Sequence, residues 1–248
     1  MNLKNKIVVI AGGCGQIGYP TAKRLSAQGA RIFVLVRSNL DQAKIKMLEL
    51  SNPELEHKAI FCDITDTDSI KLAIAEIKTY VERCDILINA AGTNKTVRDF
   101  RNLTDEIFTD IIKINLQGPF NIIREFVGLL WKSEDPLIIN ISSTSSLRPS
   151  INNFAYGAAK AGLNSLTKSL AMALAPKVRV LAIAPGFLEN PTSGNIARTS
   201  EESENLKNRV PLKRLGTGDS IASTIEGLTM YMPYATGEII VVDGGLTI

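Results

Sequence analysis

The chain has 248 residues, of which 45% are hydrophobic and 21% charged, with a formal net charge of +3. That is ordinary globular composition, and the length fits one large α/β domain, although two small domains are also possible on length alone. The basic residues are scattered and form no block interleaved with aromatics, which argues against a nucleic-acid partner. After MNLKNK the first apolar run is only about five residues long, far short of a signal core or a membrane span, and no later run approaches one, so a cytoplasmic protein with no membrane partner is expected.

The elements, in chain order, alternate. Residues 6–11 (KIVVIA) read as a first strand, and residues 20–28 as a helix with apolar residues on one face, closed by Gly29. Further strands are predicted over 31–36, 58–62, 85–90, 136–142, 178–184 and 237–242, each apolar enough to be buried on both faces. Helices are predicted over 40–50, 66–82, 104–131 with Thr104 as N-cap, and 154–175, the last rich in small residues. Strand–helix alternation through the whole chain predicts a single-domain α/β fold: a Rossmann-type, doubly wound parallel sheet of about seven strands with helices on both faces. The polar stretch 189–209 is the one long irregular region. It follows a strand end, where open α/β sheets bind ligands, and is expected to be a lid over roughly 187–209.

Between the first strand and the first helix stand Gly12, Gly15 and Gly18. A glycine-rich loop is common by itself, but in a strand–turn–helix context it can let backbone approach a pyrophosphate at the helix N-terminus. A dinucleotide site is therefore expected. An NAD site wants a carboxylate at the end of the second strand, where this chain has Val36-Arg37-Ser38. A guanidinium pairs with a 2′-phosphate, so NADP(H) is favoured over NAD(H), the alternative being that Arg37 is a solvated strand-end charge.

Tyr156 and Lys160 fall four residues apart on the 154–175 helix, hence on one face. A phenol of pKa near ~10 is a poor acid–base group at neutral pH, and a nearby ammonium favours its ionised form. Ser143 follows the 136–142 strand and could hydrogen-bond a substrate carbonyl. Asn115 is a polar residue in a helix interior, among Ile114, Leu116 and Phe120; it either faces solvent or is kept for a task. The three cysteines, Cys14, Cys62 and Cys84, show no CxxC pair and no metal spacing, and read as buried reduced thiols. His57, the only histidine, lies in the polar stretch SNPELEHK and reads as a surface-loop residue, a poor base for a Ser-His-Asp hydrolase.

With these residues in view, the chain resembles the short-chain dehydrogenase/reductase family in its compact branch of about 250 residues, and is similar to 3-oxoacyl-carrier-protein reductases. The likeness runs from the first strand to the C-terminus. It is carried by AGGCGQIG, Asp63, Asn89-Ala90-Ala91-Gly92, Asn115-Leu116-Gln117-Gly118, Ser143, Tyr156 with Lys160, Pro185-Gly186 and Val242-Asp243-Gly244-Gly245. The resemblance implies that Tyr156 is the general acid of reduction and the base of oxidation. It implies that Lys160 lowers the tyrosine pKa and holds the nicotinamide ribose, that Ser143 orients the carbonyl, and that Asn115 holds a water linking Lys160 to solvent. It places the cofactor against Gly12, Gly15, Gln16, Ile17, Gly18, Arg37, Ser38, Asp63, Ile64, Asn89, Ala90, Ala91, Gly92, Tyr156, Lys160, Pro185 and Gly186, with Asp63 at adenine and Pro185-Gly186 at the nicotinamide. It implies no metal. It also implies a homotetramer or homodimer, the tetramer forming through the helices 104–131 and 154–175.

The chain departs from the family pattern at several points. Gln16 stands where the compact branch has glycine, so the Gly12-x-x-Gly15-x-x-Gly18 spacing resembles an epimerase-like branch; Ala11 replaces a threonine and Leu181 an asparagine. Compact NADP enzymes often carry a basic residue where Gly15 stands, which leaves Arg37 alone to argue for NADP. Candidate substrate contacts are Lys95, Arg98, Arg148, residues 151–154 (Ile151 to Phe154) and the lid from Phe187 to Asn208. Lys95 and Arg148 either meet an anionic substrate group or are solvated loop charges. Few lid residues are apolar, which favours a small or polar carbonyl compound. The charges of Trp131-Lys132-Ser133-Glu134-Asp135 cancel and offer an acidic carrier protein little to dock on. The expected activity is NADP(H)-dependent interconversion of a carbonyl and a secondary alcohol. The alternatives are a 3-oxoacyl-carrier reductase and a catalytically silent, NADP-sensing binding protein.

Overall fold

The structure is a computed structural model that describes residues 1–94, 97, 99–149, 152–189 and 199–248. Among them, seven strands form one parallel sheet: β1 (Ile7–Ala11), β2 (Arg31–Val36), β3 (Lys58–Phe61), β4 (Ile86–Asn89), β5 (Leu137–Ile141), β6 (Arg179–Pro185) and β7 (Ile239–Val242). Their spatial order is β3-β2-β1-β4-β5-β6-β7. The chain winds outward from β1 in one direction, then crosses back to β4 and winds the other way. The reversal leaves a crevice at the C-terminal ends of β1 and β4, where Ala11 pairs in register with Asn89 and Asn89 with Asn140.

Helices cover both faces: α1 (Gly18–Ala27), α2 (Leu40–Leu48), α3 (Thr67–Lys78), α4 (Asp105–Ile112), α5 (Gly118–Leu130), α6 (Phe154–Leu174), α7 (Ser200–Arg209) and α8 (Gly218–Tyr231). Because side chains alternate along a strand, β1 sends Val8 and Ile10 to one face and Val9 and Ala11 to the other. The first face packs on Leu25 of α1, Met47 of α2 and Ile225 of α8; the second packs on Ile77 of α3, Phe126 of α5 and Ala171 of α6. The predicted fold class is therefore the observed one. Strand β7 differs from its neighbours: its four apolar residues are partly exposed rather than buried on both faces, because it is a sheet edge.

Four expectations need correction. The 104–131 helix is not uniform: α4 passes through a π-helical segment, Lys113–Gln117, before α5. The stretch 189–209 is not irregular throughout, since Thr199 and Glu202 form a reciprocal capping box that starts α7; residues 190–198 lie outside the described residues. Helix α8 was not anticipated, although Thr217 and Ser220 cap it in the same way. His57 is not a surface residue: its Nδ1 accepts from the Ile32 N–H at 3.0 Å and its Nε2 faces the Ser51 carbonyl at 2.8 Å. Burial pushes its pKa down, so the neutral ring joins the loop before β3 to β2. No described helix is long and apolar enough to cross a membrane.

Candidate active site

One cleft of about 660 Å³ crosses the C-terminal ends of the strands. Its lining includes Gly12, Gly15, Gln16, Ile17, Arg37, Ser38, Asp63, Ile64, Ala90, Ala91, Gly92, Ser143, Tyr156, Lys160, Pro185 and Gly186. These residues are spread over some 175 positions of sequence (roughly the whole Rossmann crossover system) and are brought together only by the winding of the sheet. Gly18, Asn89 and Asn115 do not line the cleft but stand behind residues that do. Among the predicted substrate contacts, Asn153, Phe187 and Leu188 line it. Lys95, Arg98 and Ile151 lie outside the described residues. Phe154 packs edge-on against Phe100, with ring centroids 5.2 Å apart. Arg148 is exposed and hydrogen-bonds the Leu246 carbonyl, so it anchors the C-terminal turn rather than facing the cleft.

The glycine loop has the shape of an anion cradle. Gly12 has φ +75°, and a Cβ there would lie 2.6 Å from the Ala91 nitrogen. A Cβ at Gly18 would lie 2.3 Å from the Gly12 carbonyl oxygen, so helix and turn can close only with glycine at both places. Helix α1 opens at Gly18 with no side-chain cap and no acidic residue in its first turn. The Tyr19 and Thr21 N–H groups bond the Gly15 and Ile17 carbonyls and Pro20 has none, so what the helix start offers the cleft is the positive end of its dipole with no acidic side chain beside it. These features fit a dinucleotide pyrophosphate. Gln16, the departure from the family's glycine, does not fill the cradle: its amide turns aside and donates to the Glu189 carbonyl.

At the β2–β3 end, Arg37 is exposed and carries no ion pair among the described residues. Asp63 lies nearby. Burial alone would raise its pKa, but the Thr65 N–H and hydroxyl bond it at 2.8 and 2.7 Å, and Arg37 and Lys113 add attraction. The carboxyl stays below its ordinary range. Cys14 is half-buried and lines the same cleft, whereas Cys62 and Cys84 are buried; burial raises all three thiols, Cys62 to about 12. Gln42 and Lys46, on α2, also line this end and were not picked out from sequence, where nothing in their spacing relates them to the loop at 12–18.

At the other end, Ser143 stands two residues past β5 and caps a short turn by accepting the Ser145 N–H at 3.1 Å. Tyr156, in the first turn of α6, has its hydroxyl hydrogen-bonded to Ser143. Burial raises the phenol's pKa, and the Ser143 bond offsets only part of that. Lys160 is 3% exposed, its amine 5.6 Å from the Tyr156 ring centroid and donating to the Ile141 carbonyl at 2.7 Å. Burial pushes that amine down to about 8. The expected convergence of Ser143, Tyr156 and Lys160 is present. In the chain by itself the tyrosine pKa is not depressed: burial of the phenol outweighs the Ser143 bond, and the amine's hydrogen bond goes to the backbone of β5.

Asn115 is fully buried, so the solvent-facing alternative is excluded. Its amide donates to the carbonyls of Thr93 (2.8 Å) and Ile111 (3.0 Å), and its oxygen accepts the Thr93 N–H at 3.2 Å. Both amide protons are engaged in clamping the segment after β4, and the π-helical turn brings the residue there. Gly92 passes between them: a Cβ on it would lie 2.9 Å from the Asn115 oxygen and 3.6 Å from the Lys160 amine. Asn89 is likewise beneath the site, donating to Asn140 at 2.9 Å, and Asn140 donates to Thr167 of α6 at 3.0 Å. Leu181 is fully buried in the sheet core.

The family described as enoyl-(acyl carrier protein) reductase matches residues 13–247. The chain is 31% identical to a 3-oxoacyl-[acyl-carrier-protein] reductase of Thermotoga maritima over the full length of both, and 30% identical to carbonyl reductase family member 4 of Xenopus laevis over 98% of each. A short chain dehydrogenase of Bacillus anthracis superposes with a TM-score of 0.88 at 30% identity, covering 100% of this chain and 98% of that one. The chain belongs to the short-chain dehydrogenase/reductase family, whose members act as oxidoreductases on CH–OH and C=O groups.

Proposed function

We propose that the protein is an NADP(H)-dependent oxidoreductase that interconverts a carbonyl and a secondary alcohol on a small or polar substrate, with Tyr156 as the proton donor and acceptor. The observation that carries this reading is the placement of the Ser143–Tyr156–Lys160 group at one end of a single cleft whose other wall is the Gly12–Gly18 cradle. The cofactor would be held by that cradle and the α1 N-terminus, with Arg37 at the 2′-phosphate, Asp63 at adenine, and Pro185 and Gly186 toward the nicotinamide. When bound, it supplies or accepts hydride.

The chain's own part is the proton and the orientation. In reduction, the hydroxyls of Ser143 and Tyr156 both address the substrate oxygen, and Tyr156 gives up its proton to it. The raised pKa keeps Tyr156 protonated at neutral pH, which is the form reduction requires. Oxidation requires the phenolate, and Lys160 is the cation positioned to favour it. Asn115 and Gly92 hold the floor beneath Lys160. A homo-oligomer fits the exposed apolar residues Phe108, Phe120 and Met172 on α4, α5 and α6.

A second reading, a reductase of 3-oxoacyl thioesters on a carrier protein, is favoured by the full-length likeness to the Thermotoga maritima protein. A panel of small ketones, aldehydes, secondary alcohols and 3-oxoacyl thioesters, followed by nicotinamide absorbance with each cofactor, separates the two. Turnover of polar ketones or alcohols with NADP(H) supports the first reading. Turnover confined to acyl thioesters supports the second, and cofactor binding with no turnover of any class would leave a cofactor-sensing protein.

A further inference from the structure

The loop between β1 and α1, GGCGQIG, carries no charged side chain of its own. A cation nevertheless stands against it. Lys46, in the last turn of α2, lines the same end of the cleft as Cys14 and Gly15 of the loop and Arg37 of the β2 end. Ala43, one turn earlier, is buried in the core and Lys46 itself is half-buried, so its side chain leaves the helix at the border between core and solvent. Its amine sits 4.9 Å from the ring centroid of Tyr19, in the first turn of α1. Tyr19 is itself held from α2, since its hydroxyl hydrogen-bonds the Glu49 carboxylate. The ring thus spans the two helices and provides a face on which an ammonium rests.

Lys44, two residues before Lys46, lies 3.8 Å from Asp41, and Glu49 is bonded to Tyr19; Lys23 of α1 approaches the same Tyr19 ring, 5.8 Å from its centroid, but does not line the cleft. Among the described residues neither Lys46 nor Arg37 has a carboxylate within ion-pair distance. Two unneutralised cations therefore border one end of the cleft, one from the β2 terminus and one from α2. That end lies over β2 and β3, at the far side of the cleft from Tyr156.

We propose that Lys46 is a cofactor-specificity residue, a second cation that with Arg37 selects a dinucleotide bearing a 2′-phosphate. The proposal rests on the dinucleotide reading above. A phosphate dianion has charge for two partners, and an ammonium meets it as a point charge without the planar register a guanidinium needs. A 2′-hydroxyl has no such charge, so Lys46 contributes to discrimination and not to dinucleotide binding in general. In this reading α2 supplies the charge that the loop lacks at Gly15.

The test is calorimetric binding of adenosine 2′,5′-bisphosphate and adenosine 5′-monophosphate to the full chain and to Lys46→Gln, Arg37→Gln and the double variant, each checked by thermal melting. These probes carry the 2′-phosphate difference without the nicotinamide, so the readout is independent of turnover. Lys46→Gln is expected to weaken the bisphosphate at least about fivefold and the monophosphate less than about twofold, with a shallower salt dependence. Equal losses for both probes, or none for either, would overturn the role of Lys46 while leaving the NADP reading standing if the wild-type chain still prefers the bisphosphate. A wild-type chain with no such preference would overturn the NADP reading and this inference together.

Discussion

The Lys160 amine lies 5.6 Å from the centre of the Tyr156 ring, yet its hydrogen bond goes to the Ile141 carbonyl and not to the phenol. The residue four positions along α6 is thus fastened to β5, and Tyr156 is fastened to Ser143. Tyr156 and Lys160 are held by different partners rather than by each other, and loss of either should leave the other in place.

On the proposed function, Tyr156→Phe removes the proton donor and little else. It is expected to lower kcat by about 10²–10⁴-fold, the usual contribution of a positioned acid or base. The dinucleotide Kd, measured by fluorescence titration, should change by less than about twofold. Retention of most of the rate would remove Tyr156 from the mechanism.

Burial of Lys160 makes stability depend on pH with a definite sign. Its pKa falls from 10.5 unfolded to about 8 folded. Below about 8 both states hold the proton, and the cost of burying the charge is present in full; between about 8 and 10.5 the unfolded chain binds the extra proton, so stability rises with pH. The raised pKa of Tyr156 acts in the opposite sense only above its ordinary value of 10.0. The stability of wild type relative to Lys160→Met, followed by urea denaturation, should therefore increase from pH 8 to pH 10. A flat difference over that window would mean that the amine keeps its ordinary pKa in the folded chain, as a solvated group would.

A methyl group at Gly18 meets backbone, not a flexible side chain, at 2.3 Å from the Gly12 carbonyl and 2.7 Å from the Gly13 Cα. Gly18→Ala should displace the start of α1 and weaken dinucleotide binding by at least about tenfold. The thermal upshift produced by saturating cofactor should be lost with it. Gly128, whose added Cβ would meet nothing within 4 Å, is the control: alanine there should leave both measurements unchanged.

The buried chain Asn89–Asn140–Thr167 ties β4 and β5 to α6. Asn140→Leu leaves the Asn89 amide without its acceptor and Thr167 without its donor. The expected loss is about 2 kcal/mol or more in urea unfolding, the cost of stranding buried polar groups. A neutral result would show that water enters this layer.

Much of the architecture was legible in the chain because its causes are local. Apolar runs spaced by amphipathic helices specify a buried parallel sheet, and the four-residue spacing of Tyr156 and Lys160 puts both on one helix face. Capping signals at Thr199–Glu202 and Thr217–Ser220 were equally local and could have announced α7 and α8. His57 was misplaced because a polar sequence neighbourhood does not reveal that a strand lies beside it: its partner, the Ile32 N–H, is 25 residues away.

What the residues alone determined was the class of fold and the types of group available for chemistry, since periodicity and spacing act over a few turns. What only the tertiary structure decided was which of those groups share a space. Asn115 became a clamp on Thr93 because of a π turn, and Arg148 a tie to Leu246. Lys46 became a wall of the cleft because Tyr19 and α2 meet across 27 residues of chain. Contacts of that kind depend on how helices seat on the sheet, and packing, unlike periodicity, is set by the whole core at once.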